Sequence, residues 1–415
     1  MSELQVEQGA AWLRGQLREP YARLLAQQVL TGVVALLANL LLTRSLTPAN
    51  RGEVALLLQL VYLGSQVLLL GTERSFVAGF HHTATAAAVR AYARLLIVPG
   101  AVGLTAAVLF ALAAPHRLNP GPVVIALLAG YAFVEAAGLA SRSIAIAAGR
   151  VGDLLRSRVA EAVLLLILLV ALFRLGITRP EAWIAGYLLA GALPTIAYTI
   201  RWLRLPPVPA ALPPPGSGRL VRREGLALFP AALSNMAMLR ADRLALPALA
   251  STSALGLYAS VATMTELLAW PLRAYADSRL GRWRAEHRSG ALRTRPLVAA
   301  AALYALLVVP VVAGGLYLLI VPLFGAGYAP AKAVVVPLVA AAGLYAVSRI
   351  SLGLLIAKGR GGLVSAAEIA GFTVSLVAYL LLIPRFGIVG AAYGSLLGYG
   401  TCLLVALAAN RTAGS

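Results

Sequence analysis

The chain has 415 residues, of which 60% are hydrophobic and only 12% charged, with a formal net charge of +20 and a mean hydropathy of +0.85. These values exclude an ordinary soluble globular domain and describe an all-α polytopic membrane protein. The apolar segments are continuous and rich in Leu and Ala, without the period-2 alternation of outer-membrane strands.

The N-terminal segment, 1–23, is polar and lacks a continuous apolar core, so no cleavable signal peptide is expected. Trp12, Leu13 and Leu17 with Arg14 and Arg18 suit either a short helix lying on the cytoplasmic leaflet or a frayed tail. A hydrocarbon core about 30 Å thick needs roughly 20 apolar residues per spanning helix. Six such runs follow, at 24–43, 54–71, 95–114, 122–141, 159–175 and 182–200, and form an expected N-terminal six-helix bundle over 24–200. Gln28, Thr31 and Asn39 in the first run, and Gln59, Tyr62 and Gln66 in the second, recur at helical spacing as polar stripes. Such amides serve either a wet cavity or hydrogen bonding between helices. His81 and His82 adjoin in a loop without acidic company, and no metal is expected there. Glu135 lies near the middle of the fourth run, where a charge costs about 2.5–3.5 kcal/mol unless it faces protein or water.

A Pro-rich, basic stretch, "RWLRLPPVPAALPPPGSGRLVRRE" at 201–224, has the character of an interdomain linker. Six further runs follow, at 226–248, 255–276, 297–320, 333–356, 365–383 and 389–409, giving a C-terminal bundle over 225–409 and a tail over 410–415. Even blocks insert in the same orientation, and parallel six-helix repeats usually face each other across a central cavity. Internal likeness supports the division. "LTPANRGEVALLLQL" (46–60) and "ASTSALGLYASVATM" (250–264) both join helices through a polar turn, and "SRSIAIAAGR" (141–150) and "SRISLGLLIAKGR" (348–360) both close the fourth span of their half.

The seventh run carries Asn235, Arg240, Asp242 and Arg243. At about 100° per residue, Asn235 and Asp242 share a face, with both arginines further round. Snorkelling to the interface is the competing account of the arginines. Glu266 and Arg273 are expected on one face of the eighth run with Tyr258 and Thr265, and Arg349 falls in the inner part of the tenth. The buried acids Glu135, Asp242 and Glu266 suit ion coupling or structural ion pairing. Pro99, Pro194, Pro271, Pro310 and Pro337 interrupt runs and are candidate kinks. Gly390, Gly394 and Gly398 form a helix-packing face. The single cysteine, Cys402, excludes a disulfide within the chain.

With the N-terminus in the cytoplasm, most of the 35 Lys and Arg fall on the cytoplasmic side and the C-terminus returns there. The positive-inside rule therefore explains the net charge, and no nucleic-acid partner is expected. The basic loop "SRLGRWRAEHRSGALRTRP" at 278–296 can also attract anionic membrane lipids. Outer loops are too short for a catalytic domain and no phosphate-binding Walker pattern occurs, so neither an enzyme nor a cofactor is expected.

"LLTRSLTPANRGEVALL", "GTERSFV", "LRADRLALPAL", "LGLYASVATMTELL" and "LIPRFGIVGAAYGSLLGY" resemble, in order and span position, the Wzx-type oligosaccharide flippases of the multidrug, oligosaccharidyl-lipid and polysaccharide exporter (MOP) superfamily. The resemblance implies a V-shaped twelve-helix transporter that moves an undecaprenyl-pyrophosphate-linked glycan to the outer leaflet of a bacterial inner membrane. It also implies partners among the polymerases and glycosyltransferases of that pathway. Its carry-over reaches Asp242, whereas Arg240, Arg243 and Arg349 rest on span placement. Lipid II flippases usually have two further spans, which this chain lacks. Two alternatives stand beside the flippase: a multidrug or cation exporter of the same superfamily, and a membrane-embedded glycan polymerase or ligase.

Overall fold

A computed structural model describes residues 20–80, 83–113, 121–205 and 216–412, and every long element in it is a helix. The interfacial helix at 12–18, the His81–His82 pair, the middle of the linker and the last residues of the tail lie outside the described residues. The helices are α1 (Pro20–Ser45), α2 (Pro48–Leu69), α3 (Thr72–Gly79), α4 (Thr85–Ala113), α5 (Pro122–Ala147), α6 (Val151–Arg174), α7 (Pro180–Leu203), α8 (Ser217–Leu249), α9 (Thr252–Arg288), α10 (Thr294–Phe324), a 3-10 segment (Ala326–Ala331), α11 (Lys332–Ala357) and α12 (Gly361–Thr412).

By length and composition, seven helices among the described residues can cross a membrane: α2, α4, α5, α7, α10, α11 with its 3-10 lead-in, and α12. The expected count of twelve is not reached on this measure, for identifiable reasons. α12 holds two of the runs in one element broken at Gly387, whose φ of 53° and ψ of −127° are not helical. In α1, Pro20–Ser45, the described side chains begin at Leu30, so only Leu30–Ser45 enters the count. α6 and α9 carry charged and hydroxyl side chains inside their apolar stretches, and part of α8 lies outside the described side chains. The prolines do not break their helices: α4, α7, α9, α10 and α11 continue through Pro99, Pro194, Pro271, Pro310 and Pro337.

The linker is shorter than 201–224. α7 continues to Leu203 and α8 begins at Ser217, because Val221 is buried while Arg219, Arg222 and Arg223 point outward, an amphipathic pattern hidden in the basic stretch.

The chain divides into two compact units, one of residues 45–244 and one of residues 1–44 with 245–415. This differs from a division at the linker: most of α1 belongs with the C-terminal helices, and most of α8 with α2–α7. In the 45–244 unit, α5 is the hub and contacts α2, α3, α4, α6 and α7. One end is filled by Phe76 stacked on Phe80 at 4.3 Å, with Tyr92, Trp202 and Val221 in the same core. The short helix α3, which supplies Phe76, was not foreseen; its eight residues are too few to show a period. In the other unit, α11 is the most enclosed span, packed by α9, α10 and α12.

The turns paired in the sequence are alike in the structure. Thr47 and Ser251 cap α2 and α9 by accepting from the backbone N–H of Asn50 and Ala254. The turn after α5 makes the bonds Ala148 N–H to Ile144 O, Gly149 N–H to Ile146 O and Arg150 N–H to Ala145 O. The turn after α11 repeats them at Lys358, Gly359 and Arg360, donating to Leu354, Ile356 and Leu355. Gly149 and Gly359 both occupy the left-handed region, with φ of 69° and 74°, where any other L-residue is disfavoured.

The glycine face of α12 packs inward on the other half of the same element. A Cβ on Gly398 would lie 1.7 Å from Ser375 Oγ and 2.7 Å from Gly371 O, and one on Gly394 would lie 2.3 Å from the Tyr379 ring. Gly398→Val is therefore expected to destabilise the protein by about 2 kcal/mol, read as a lowered thermal midpoint in detergent. Gly362→Val, where nothing lies within 4 Å, should leave it near the wild-type value. Equal midpoints for the two variants would refute this packing.

Candidate functional site

In the 45–244 unit the polar residues of α2, α5, α6 and α8 form two groups, one around Arg240 and Tyr62 and one around Glu135, Arg158 and Glu161. α8 places the Arg240 guanidinium over the Tyr62 ring of α2, 5.4 Å from its centroid, so a cation and an aromatic singled out separately in the sequence meet. Two residues on, Asp242 and Arg243 are each 5% exposed, and Asp242 Oδ1 accepts the Arg243 backbone N–H at 2.8 Å. That local bond fixes the carboxylate against its own helix.

The buried Tyr131 of α5 lies in the neighbourhood of Tyr62, of Glu135 and of Glu161 on α6. Glu135 also faces Arg158. Arg158 Nη1 donates to Glu161 Oε2 at 2.8 Å and Nη2 to Gly138 O at 3.3 Å. Glu135 thus sits in a group of two carboxylates and one guanidinium. Tyr131 was missed in the sequence although it stands one turn before Glu135. Arg158 and Glu161 were missed because they open a span and resemble interfacial charge.

Gln59 is buried, and among the described residues its Oε1 has no hydrogen-bond partner. Gln66 is part-exposed, about two turns further along the same face of α2. Arg51, also unforeseen, is 4% exposed and interacts electrostatically with Tyr187. Near one end of the unit, Asp153 accepts from Trp202 Nε1 at 3.4 Å and pairs with Arg156 at 3.2 Å and with Arg150 and Arg201 at 3.8 Å, a clasp joining α6 to α7.

The other unit uses its polar groups differently. Asn39 is 2% exposed and donates from Nδ2 to Ser260 O at 2.9 Å, tying α1 to α9. Its amide is a helix–helix bond rather than part of an open stripe. The Tyr258 hydroxyl lies 3.2 Å from Ser395 Oγ, which lies 2.9 Å from the Tyr379 hydroxyl, all buried. Thr265 is buried as well, whereas Arg273 is exposed and Glu266 half-buried, so the face expected to carry all four on α9 is not one wet surface. Arg349 Nη1 pairs with Glu368 Oε1 at 3.2 Å, their side chains 13% and 12% exposed, and its guanidinium lies 4.6 Å over the Tyr345 ring. Among the described residues, Arg349 Nε and Nη2 are buried without a hydrogen-bond partner. Glu368, the partner, carried no sequence signal beyond its own charge. At the end of α11, burial and the neighbouring Arg360 push the Lys358 amine below its usual value. The side chains of Gln28 and Asn235 lie outside the described residues.

No group of three or more His, Cys, Asp or Glu able to hold a metal occurs among the described residues.

No family model matches the sequence, and no curated protein matches it. Solved structures do. A multidrug resistance MATE family transporter of the MOP superfamily, in an inward-facing conformation, aligns with a TM-score of 0.69 and 15% identity over 95% of this chain and 98% of that one. The lipid II flippase MurJ, in an inward closed conformation, aligns with a TM-score of 0.67 and 10% identity over 94% and 87%. A MOP superfamily transporter from Pyrococcus furiosus, described as having a binding pocket of reverse polarity, aligns with a TM-score of 0.59 and 14% identity over 93% and 95%. At these identities the likeness is one of fold: a multi-pass helical fold shared with MOP superfamily transporters.

Proposed function

We propose that the chain is a twelve-span flippase that moves a polyprenyl-pyrophosphate-linked oligosaccharide from the cytoplasmic to the outer leaflet of a bacterial inner membrane by alternating access, with both termini cytoplasmic. The support is chiefly the meeting of Arg240 with Tyr62 beside the buried Asp242–Arg243 pair, inside helices otherwise made for lipid. A bare anion entering a low-dielectric core faces a cost of tens of kcal/mol on a Born estimate, so a pyrophosphate needs cations and hydration along its path. Arginine suits that task because its planar fork binds phosphate oxygens bidentately and stays charged. Tyr62, Gln59 and Gln66 offer an aromatic face and amides to sugar rings and hydroxyls, and Asn235 of the same unit is assigned with them. In the other unit, taken by itself, Gln28 and Asn39 are assigned to sugar hydroxyls and Arg349 to the headgroup, with its Glu368 partner as the competing acceptor. The polyprenyl tail stays in lipid throughout.

Without a nucleotide site, direction comes from an ion gradient or from consumption of the product outside. Asp242, Glu266 and Glu135 are assigned to ion coupling, and Glu135 is the best placed, since Arg158 neutralises only one of the two carboxylates beside it. Partners are then the enzymes that build and polymerise the glycan.

Expression in a host whose own flippase is deleted tests this reading. Restored surface glycan without resistance to cationic drugs is expected. Drug resistance without restored glycan would assign the chain to multidrug export instead, and polymerisation of lipid-linked repeats by the purified protein would make it an enzyme.

A further inference from the structure

α9 runs 12 residues beyond its apolar run, and that extension is cationic. Between 273 and 295 the sequence has seven arginines against Asp277 and Glu286, and Arg273, Arg279, Arg282, Arg284, Arg288, Arg293 and Arg295 are all exposed. A straight helix at about 1.5 Å per residue would carry Arg288, the last of them on α9, well into water. Its packing says otherwise. Trp283, 2% exposed, is seated in a core with Ala301 of α10 and Leu354 and Ala357 of α11, and it closes on Gly353 so tightly that an added Cβ there would lie 3.1 Å from the indole. Leu297 and Val298 pack against the same core. These are the residues at which the apolar runs of α10 and α11 end, so the Trp283 turn stands at the hydrocarbon boundary rather than beyond it. Arg279, Arg282 and Arg284 lie within four residues of Trp283, about 6 Å along the axis, and therefore at headgroup depth. Arg279 stacks on Tyr275 at 5.7 Å, and Tyr275 meets Trp283 edge-on at 6.0 Å, an arrangement that holds an aromatic pair at the interface with a cation outside it. Arg282 is 66% exposed even while paired with Glu286.

We infer that this collar of α9 binds anionic phospholipid headgroups, independently of any transported substrate. Positive-inside signalling alone requires charge near the end of a span; it does not require a buried tryptophan that fixes a helix with exposed arginines at the boundary. An acidic soluble partner fits less well, because the arginines nearest the core would stand among headgroups. Attraction to an anionic leaflet is worth about fivefold per arginine near the surface.

The test uses full-length protein in nanodiscs of phosphatidylcholine alone or with about a third phosphatidylglycerol, with retained phosphatidylglycerol counted by native mass spectrometry and the thermal midpoint recorded. Wild type should retain phosphatidylglycerol and melt higher in its presence, an effect that shrinks in half-molar salt as screening sets in. Arg279→Gln/Arg282→Gln/Arg284→Gln should match wild type in phosphatidylcholine and lose at least about fivefold of the retained lipid. Arg90→Gln/Arg219→Gln/Arg223→Gln, an equal change of charge elsewhere, should keep most of it. Equal retention by wild type and the α9 variant, equal loss in both variants, or a preference indifferent to salt would overturn the assignment.

Discussion

Glu368→Ala is expected to destabilise the protein by about 3–5 kcal/mol, the usual consequence of removing one member of a buried ion pair. The reason is the state of Arg349. It is 13% exposed, one of its nitrogens is paired with Glu368, and two others are buried without an acceptor among the described residues. Deleting the carboxylate leaves a charge with the Tyr345 ring, the neighbouring Cys402 and local dipoles, in place of an anion, to compensate it. Arg349→Met/Glu368→Leu removes both charges at similar volume and should recover most of the loss, as apolar replacements of buried pairs often do. Glu286→Ala breaks an exposed pair with Arg282 and should cost under about 1 kcal/mol. Thermal midpoints in one detergent decide the matter. A Glu368→Ala protein as stable as Glu286→Ala would mean that Arg349 finds water or lipid in place of its partner.

The second large effect concerns transport. Arg240→Ala and Arg243→Ala are each expected to lower glycan export roughly 30-fold, at about 2 kcal/mol for a hydrogen bond to a charged group. Membrane insertion should stay intact. Arg→Lys at either position should restore only part of the rate, since an ammonium cannot engage two phosphate oxygens in a fixed plane. Tyr62→Phe keeps a ring beneath Arg240 and should be mild, while Tyr62→Ala should approach the loss seen in Arg240→Ala. Asp242→Ala should impair export as well. Its carboxylate is buried and accepts the Arg243 backbone N–H at 2.8 Å, so Asp242→Asn, which keeps an acceptor there, should hold the thermal midpoint better than Asp242→Ala while still slowing export. Normal surface glycan in the arginine variants would remove α8 from the path.

Much of the fold was legible in the residues. Long apolar runs, the polar turns within 46–60 and 250–264, and the glycine face of α12 each follow from local sequence, and they recur in the structure as helices, as turns capped by Thr47 and Ser251, and as close packing. The linker's edges were not legible, because a basic stretch and an amphipathic helix with Val221 buried look alike in composition. Nor was the grouping of α1 with the C-terminal helices, which depends on distant contacts such as Asn39 with Ser260. For the candidate site, the pattern was clear where one helix carries several polar residues, as in 240–243. It failed where the partner lies on another helix. Glu368, Arg158 and Glu161 looked unremarkable in sequence and acquired meaning only through Arg349 and Glu135. Spacing on one helix also misled, since Tyr258 and Arg273 fall on opposite sides of the burial boundary.

The most direct measurement is leaflet transfer by purified protein in vesicles carrying a fluorescent polyprenyl-pyrophosphate oligosaccharide, with a membrane-impermeant enzyme reporting which headgroups reach the other side. Wild type should expose the inner pool within minutes. Arg240→Ala/Arg243→Ala should slow this about a thousandfold if the two losses add, and a zwitterionic phospholipid of equal tail length should stay where it is. Transfer at the protein-free rate, or equal transfer of both lipids, would contradict the assignment of this chain as a flippase for pyrophosphate-linked glycans.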